Sequence, residues 1–114
     1  MQPPEWRIEH FPELPSTQDE LRSRLNAGGP VDGLVLRADV QSHGRGLRAR
    51  DWASGAGGSW QSAALKGPVP SASPLFMALG IAEAFNSELP AECQLRLKWP
   101  NDLLQSGLKI GGIL

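Results

Sequence analysis

The sequence contains little of the chemistry that would hold a metal ion or form a disulfide. Its single cysteine, Cys93, is accompanied by only two histidines, His10 and His43, so an internal disulfide and the ligand spacing of a structural zinc site are both absent. No apolar run approaches the length of a membrane span. The first residues have neither the basic start nor the apolar centre of a signal peptide. The sequence therefore predicts a cytoplasmic protein with no membrane partner.

The sequence also lacks a large excess of either charge, because 11 basic and 12 acidic residues give a formal net charge of −1. With 114 residues, 40% of them hydrophobic and 20% charged, the composition is typical of one soluble domain with a modest core. The charges are unevenly distributed, since residues 1–20 are rich in acids whereas the stretch 37–50 is rich in arginine. Local basicity with global neutrality favours a small anionic ligand over a nucleic acid, whose binding depends on many phosphate contacts.

Patterns in the first half predict one helix and two strands. Residues 1–15 are rich in proline and predict an irregular arm with at most a short strand at 6–8. Thr17 and Glu20 have the spacing of a capping box, and glycines and a proline at 28–30 end the helix that follows. Apolar segments at 33–40 and 59–65 predict strands.

The second half predicts a buried helix followed by strands and a hairpin. Ser73 as cap and Pro74 in the first turn open an almost wholly apolar segment, so Met77 and Phe85 are expected in the core. Residues 94–99 alternate as a strand, and Ser106-Gly107 has the residue types of a tight turn before a strand at 108–114, which is expected to leave an apolar edge exposed. The fold class is therefore α+β, with a mixed or antiparallel sheet packed with helices.

A basic, glycine-rich loop at 41–52 is the strongest candidate site. Gly44 and Gly46 bracket Arg45, two further arginines follow, and the loop ends on Trp52. Glycine permits positive φ and close approach of the backbone to a ligand, so the loop predicts an anion cradle of N–H groups and guanidinium groups. The alternative is a solvated basic turn.

Three segments together carry a resemblance to a known family. They are Ser16-Thr17-Gln18, the loop 41–52, and Lys98-Trp99-Pro100-Asn101-Asp102-Leu103 followed by Lys109-Ile110-Gly111-Gly112-Ile113-Leu114. This combination resembles the catalytic domain of biotin–protein ligases. The resemblance covers residues 5–114 and implies a partial biotin/lipoate ligase-like catalytic domain at 16–114, truncated on its C-terminal side, with neither a helix-turn-helix domain nor a C-terminal barrel.

The resemblance implies an ATP-dependent reaction that joins biotin to a lysine of the biotin carboxyl carrier protein of acetyl-CoA carboxylase. Biotinyl-5′-AMP is the intermediate, ATP and biotin are substrates, and Mg²⁺ accompanies the ATP. Two anions must meet, so the site needs fixed positive charge and backbone donors instead of a protein nucleophile. The implied partners include no nucleic acid and leave a homodimer open.

Site roles follow by position from the resemblance. Arg45 and Lys109 are the expected electrostatic catalysts, and Asp102 the expected Mg²⁺ ligand. The expected biotin-binding residues are Ser16, Thr17, Gln18, Gln41, Gly44, Arg45, Gly46, Leu47, Lys109 and Gly112. The expected ATP- and adenylate-binding residues are Arg45, Arg48, Arg50, Trp52, Lys98, Asn101, Asp102 and Lys109.

Two positions depart from the family pattern. Leu47 stands where the family usually has a second arginine, and Ala49 where glycine or another small or polar residue is common. Loss of one charge-assisted contact to phosphate costs about 1.5–3 kcal/mol, which predicts weaker retention of the adenylate. An inactive remnant that at most binds biotin or adenylate is therefore the main alternative hypothesis.

Rival functions have weaker support in the sequence. Gly44, Gly46 and Ala49 satisfy the loose dinucleotide fingerprint, but no acidic residue follows at the required distance. A nucleic-acid-binding module could use the arginines of the loop together with Trp52. Lipoate ligases share the broader fold, but the Gly-Arg-Gly loop paired with the segment from Lys98 to Asp102 favours biotin.

Overall fold

The helices and strands of the protein are divided between two units. The computed structural model describes residues 2–114, so Met1, the first residue of the expected arm, lies outside the described residues. The units are Met1–Pro68 and Val69–Leu114, and each contains one three-stranded sheet. The predicted α+β class with mixed and antiparallel strands is confirmed, although the strands form two sheets.

The first unit contains three strands and one α-helix. They are β1 (Arg7–Leu14), α1 (Thr17–Asn26), β2 (Leu34–Gln41) and β3 (Trp60–Ala63), with a short turn at Leu47–Ala49. The sheet has the order β1-β2-β3, with β1 parallel and β3 antiparallel to the central strand. The core consists of buried residues from the helix and the sheet, namely Leu21, Leu34, Leu36 and Ala64.

Strand β1 replaces the irregular arm that was predicted for residues 1–15. Its pairing with β2 runs from Arg7 opposite Leu34 to Leu14 opposite Gln41. The prediction of an irregular arm was wrong because β1 is an edge strand. Most of its side chains are exposed, so the sequence lacks the alternating apolar pattern of a half-buried strand. An edge strand also tolerates a proline such as Pro12. Pairing with β2 defines this strand over its full length, and the short strand predicted at 6–8 covers only its beginning.

Helix α1 begins one residue earlier than the predicted capping box implies. Ser16 is the N-cap, and its Oγ accepts a hydrogen bond from the Asp19 N–H at 3.2 Å. Glu20 does not complete a capping box with Thr17, because its carboxylate binds Arg24 one turn further on. The helix ends where predicted, with Gly28 at a φ of 80°.

The second unit packs one helix against an antiparallel sheet. It contains α2 (Ser73–Asn86), a 3-10 turn at Ala91–Cys93, β4 (Leu95–Lys98), β5 (Asp102–Gln105) and β6 (Leu108–Gly112). The sheet has the order β4-β5-β6. No helix within residues 2–114 is long and apolar enough to cross a membrane.

The apolar surface of α2 is buried along one stripe only. Ala78 and Ala82 pack with Leu95 and Leu103, and their small side chains let the helix approach the sheet closely. The prediction that Met77 and Phe85 are core residues is wrong, since they are 46% and 54% exposed. The sheet covers only the side of the helix that faces it, so the side chains on the other sides are exposed. Likewise Ser73 is not the cap: Ala72 takes the cap position without a side-chain hydrogen bond.

The predicted hairpin between β5 and β6 is confirmed. Ser106 and Gly107 have φ values of 50° and 78°, as a tight turn of the primed type requires. Strand β6 is an edge strand on which Leu108 is 71% exposed. The register shifts within the pair, because Leu103 lies opposite Gly111 whereas Leu104 lies opposite Lys109.

Candidate functional site

The basic loop is held in shape by its own backbone. Gln41 pairs with Ser54 at the base of the loop, and Arg45 pairs with Asp51 nearer its tip. Between these pairs the Trp52 N–H donates to the Gly44 carbonyl at 2.8 Å. The arginines of the loop therefore extend from an ordered backbone.

The glycines of the loop do not have the conformations predicted for them. Positive φ occurs at Arg48 and Ala49, both at 57°, whereas Gly46 has a φ of −102°. Gly44 is needed for close packing, because a Cβ there would lie 2.2 Å from Ser54 Oγ and 2.5 Å from the Trp52 carbonyl oxygen. A Cβ at Gly46 would meet nothing closer than 3.5 Å. At Gly44 the backbone therefore approaches other residues of the loop closely, whereas the sequence predicted close approach to a ligand.

Gln41 links the loop to the start of α1. Its Oε1 accepts a hydrogen bond from the Thr17 N–H at 2.7 Å, which satisfies a backbone donor that a helix start leaves without a partner. Its Nε2 donates to Ser54 Oγ at 3.1 Å, and that hydroxyl donates to the Trp52 carbonyl at 3.0 Å. Both ends of the amide therefore have partners, and the second Nε2 hydrogen is the donor available to a ligand.

The Ser16-Thr17-Gln18 segment forms a second polar cluster with β3. Ser16 and Thr17 are only 2% and 3% exposed. Thr17 Oγ1 and Ser62 Oγ lie 2.9 Å apart, and Ser62 Oγ donates to Gln18 Oε1 at 3.0 Å. The three predicted residues therefore lie together, with their side chains fixed by hydrogen bonds.

Ser54 and Ser62 belong to these clusters and were missed from the sequence. Ser62 lies opposite Leu36, a fully buried core residue, so it occupies a position on the face of β3 that packs toward α1. Alternation along the strand predicted at 59–65 places Ser62 on the inward face, and a polar residue on that face is a signal for a functional or hydrogen-bonding role. Ser54 carried no comparable signal, because it lies in a glycine-rich segment without periodicity.

An open pocket of about 360 Å³ lies beside the loop base. Its lining residues are Gln41, Ser42, His43, Gly44, Asp51, Trp52, Ala53 and Ser54. Gln41 and Gly44 from the predicted biotin set line it, as does Trp52 from the adenylate set. The pocket wall does not include the Ser16-Thr17-Gln18 segment, Gly46 or Leu47, and Leu47 is 51% exposed.

Arg45 lies outside the pocket wall and contacts α1. Its Nε donates to Asp19 Oδ2 at 2.9 Å, and the two side chains are 48% and 37% exposed. Arg48 and Arg50 are exposed near the tip of the loop. The loop thus holds one arginine against the helix and presents the others to solvent.

The second unit gathers four of the predicted residues on its sheet. Lys98 and Gly112 both lie opposite Asp102, on its two neighbouring strands. Lys109 Nζ lies 2.9 Å from Asp102 Oδ1. Because directly opposed residues share a face of a sheet, the two lysines and the carboxylate lie on the same face. This face therefore carries two lysines beside one carboxylate.

Asn101 has a structural role in the same unit. It is 7% exposed, its Nδ2 donates to the Ile113 carbonyl at 2.8 Å, and its own carbonyl accepts from the Ile113 N–H at 3.0 Å. These bonds fix the residues after β6. Any contact of Asn101 with a nucleotide would therefore have to use its remaining hydrogen-bonding capacity.

Asp102 is the predicted Mg²⁺ ligand. Within residues 2–114 no group of three or more histidine, cysteine, aspartate or glutamate side chains lies close enough to hold a metal ion. Mg²⁺ is commonly bound through one or two carboxylates together with substrate phosphates, and Asp102 fits that donor set. Its carboxylate is 17% exposed and adjoins two lysines.

Comparison with known proteins assigns the family. Residues 11–114 match the Biotin/lipoate A/B protein ligase family. The chain belongs to this family. It is 35% identical over 96% of its length to a biotin–[acetyl-CoA-carboxylase] ligase of Mycobacterium tuberculosis, of which it covers 44%. It is 36% identical over 89% of its length to the bifunctional ligase/repressor BirA of Bacillus subtilis, of which it covers 32%.

Solved structures of biotin ligases have the same fold. The Helicobacter pylori biotin acetyl coenzyme A carboxylase synthetase, solved with bound biotinylated ATP, gives a TM-score of 0.79 at 30% identity. The Aquifex aeolicus biotin protein ligase, solved with biotin and ATP, gives 0.80 at 32% identity. The alignments include 96% and 95% of this chain, but only 54% and 45% of those chains. The predicted family and fold are confirmed, and the chain spans about a third to about half of the length of the relatives it matches.

Proposed function

We propose that the chain activates biotin with ATP, giving biotinyl-5′-AMP and pyrophosphate, for transfer to a lysine of a biotin carboxyl carrier protein. The observation that supports this most strongly is its TM-score of 0.80, over 95% of its length, to a biotin protein ligase solved with biotin and ATP. The ordered Gly-Arg-Gly loop beside an open pocket lined by Gln41 and Trp52 is consistent with that activity.

The polar clusters of the first unit suit the ureido ring of biotin. A cyclic urea accepts hydrogen bonds at its carbonyl oxygen and donates from its two N–H groups. The second Nε2 hydrogen of Gln41 and the amide nitrogen of Gln18 can donate to that carbonyl. Ser16 and Thr17 are buried at the helix start, so they hold their positions without entropic cost on binding. Trp52 lines the pocket and offers its ring as an apolar wall.

The charged residues suit the reacting groups. In the first step a biotin carboxylate oxygen forms a bond to the α-phosphorus of ATP, the bond from that phosphorus to the bridging oxygen breaks, and pyrophosphate leaves with the electron pair. Two anions approach each other in this step, so fixed cations stabilise its transition state. We assign Arg45 and Lys109 to this role, with Arg48, Arg50 and Lys98 near the nucleotide.

The second step uses the same activated group. The carrier lysine, as a neutral amine, attacks the acyl carbon, AMP leaves, and the nitrogen loses a proton as the amide forms. No protein nucleophile is required in either step. Mg²⁺ would neutralise phosphate charge when bound with ATP, and Asp102 would hold it through a carboxylate that binds Lys109 in this structure.

Exchange of labelled pyrophosphate into ATP tests the first step without a carrier protein. With biotin and Mg²⁺ present, we expect label to enter ATP, and we expect none when biotin is omitted. Absence of exchange from folded protein would refute the active-ligase proposal. Equilibrium binding of labelled biotin to the same preparation would then identify a remnant that binds biotin without activating it.

A further inference from the structure

We infer that Asp19 is a positioning residue that holds the guanidinium group of Arg45 ready for the anionic group of the substrate. This inference rests on the proposed function. Asp19 was not among the predicted site residues, yet its Oδ2 accepts a hydrogen bond from Arg45 Nε at 2.9 Å. The contact joins the first turn of α1 to the basic loop.

Both ends of this ion pair are attached to backbone that is held by hydrogen bonds. Asp19 is in the first turn of α1, where its N–H binds the buried Ser16 hydroxyl. The backbone of Arg45 forms an antiparallel bridge with that of Asp51 across the loop, and the neighbouring Gly44 carbonyl accepts a hydrogen bond from the Trp52 N–H. An ion pair between two fixed segments restricts the arginine side chain more than one between two mobile segments would.

The contact uses Nε of the guanidinium group and leaves the two terminal nitrogens, Nη1 and Nη2, for other acceptors. Carboxylates and phosphates bind arginine through parallel hydrogen bonds from two nitrogens. Among residues 2–114, no acceptor other than Asp19 binds the Arg45 side chain. Asp19 therefore selects a rotamer of Arg45 while the terminal nitrogens stay available to an incoming anion.

Two competing roles for Asp19 lead to different binding results. If its charge merely adds to the local field, then it repels an anionic ligand, and removing the charge strengthens binding. If it merely stabilises the N-terminus of α1, removing the charge weakens binding of charged and neutral ligands alike. A positioning role predicts weaker binding of the anionic ligand alone.

Binding of biotin and of its neutral primary amide to Asp19→Asn separates these three roles. We expect the dissociation constant for biotin to rise about three- to fivefold, the scale of a half-exposed ion pair, and that for the amide to change by less than about twofold. Glu20→Gln is the matched control, because it removes the same charge one residue along the same turn. Stronger biotin binding by Asp19→Asn, or an equal loss for both ligands, would overturn the inference.

Arg45 itself provides a second control on the same assay. In an Arg45→Gln background, Asp19→Asn should cause no further loss of biotin affinity, because Asp19 acts through the missing guanidinium group. A full additional loss in the double variant would show that Asp19 acts by another route and would refute the inference.

Trypsin digestion of the free protein tests the ion pair without any biotin. Asp19→Asn should raise the initial rate of cleavage after Arg45, Arg48 or Arg50 severalfold over the wild type and Glu20→Gln, because the loop loses its contact with α1. An unchanged rate would contradict the positioning role. If the wild type binds neither biotin nor the amide, the proposed function fails, and the digestion still decides whether Asp19 holds Arg45.

Discussion

Replacement of Gly44 by alanine is the substitution that the loop geometry excludes most firmly. The added Cβ would lie 2.2 Å from Ser54 Oγ, 2.5 Å from the Trp52 carbonyl oxygen and 3.1 Å from Gln41 Nε2. The serine can rotate, but the carbonyl belongs to the backbone, so the loop must open. Overpacking of this kind costs about 1–3 kcal/mol, and losing the Gln41–Ser54 and Ser54–Trp52 hydrogen bonds adds about 1 kcal/mol each. We expect Gly44→Ala to lower the free energy of unfolding by at least about 3 kcal/mol.

Gly46→Ala is the matched control for this prediction. Gly46 is two residues away in the same loop, its φ is −102°, and an added Cβ would make only ordinary contacts. Urea denaturation followed by tryptophan fluorescence measures both variants. With a slope of about 1–2 kcal/mol/M, the midpoint should fall by about 1.5–3 M for Gly44→Ala and by less than about 0.5 M for Gly46→Ala. Equal midpoints would refute the packing argument and show that the two glycines are equivalent.

Three further substitutions test the loop tip and the second unit. Ala49→Gly should raise the free energy of unfolding by about 0.5–1 kcal/mol, because alanine is strained at a φ of 57°. Ala53 does not have a positive φ, so Ala53→Gly should not stabilise the protein in the same denaturation assay. Leu47→Arg should slow release of labelled biotinyl-5′-AMP about tenfold or more in rapid filtration, whereas an equal effect of Leu47→Gln would show that charge is not responsible. Lys109→Ala should lower pyrophosphate exchange about 100-fold or more, and an unchanged rate, like that expected of Lys66→Ala, would remove Lys109 from the reaction.

Local sequence was sufficient to predict the helices and strands that have a clear hydrophobic period or that begin or end at glycine or proline. The helix at Thr17–Asn26 ends at glycines, the second helix opens on Pro74, and the hairpin has the turn residues its φ values require. The motif segments were also enough to indicate the family, because their combination and spacing are specific even though each segment is short. These features depend on residues close together in the chain, so the sequence displays them directly.

The site was predicted as a set of residues, and its internal connections were not. Nothing in the sequence indicates that Gln41 uses its amide to join Thr17 to Ser54, or that Asp19 holds Arg45. The partners in these contacts are separated by 13 to 26 positions along the chain. Side-chain contacts at such separations depend on how β2 delivers the loop to the start of α1.

The sequence by itself determined the class of fold, the family and the residue types available for binding anions, because these follow from local periodicity and from specific motifs. Tertiary structure alone decided that residues 7–14 form an edge strand, that Met77 and Phe85 are exposed, and that positive φ falls on Arg48 and Ala49. In each case the outcome depends on which surface or backbone lies opposite the residue. A neighbouring strand pairs with β1, a narrow sheet covers one stripe of α2, and cross-loop hydrogen bonds bend the tip.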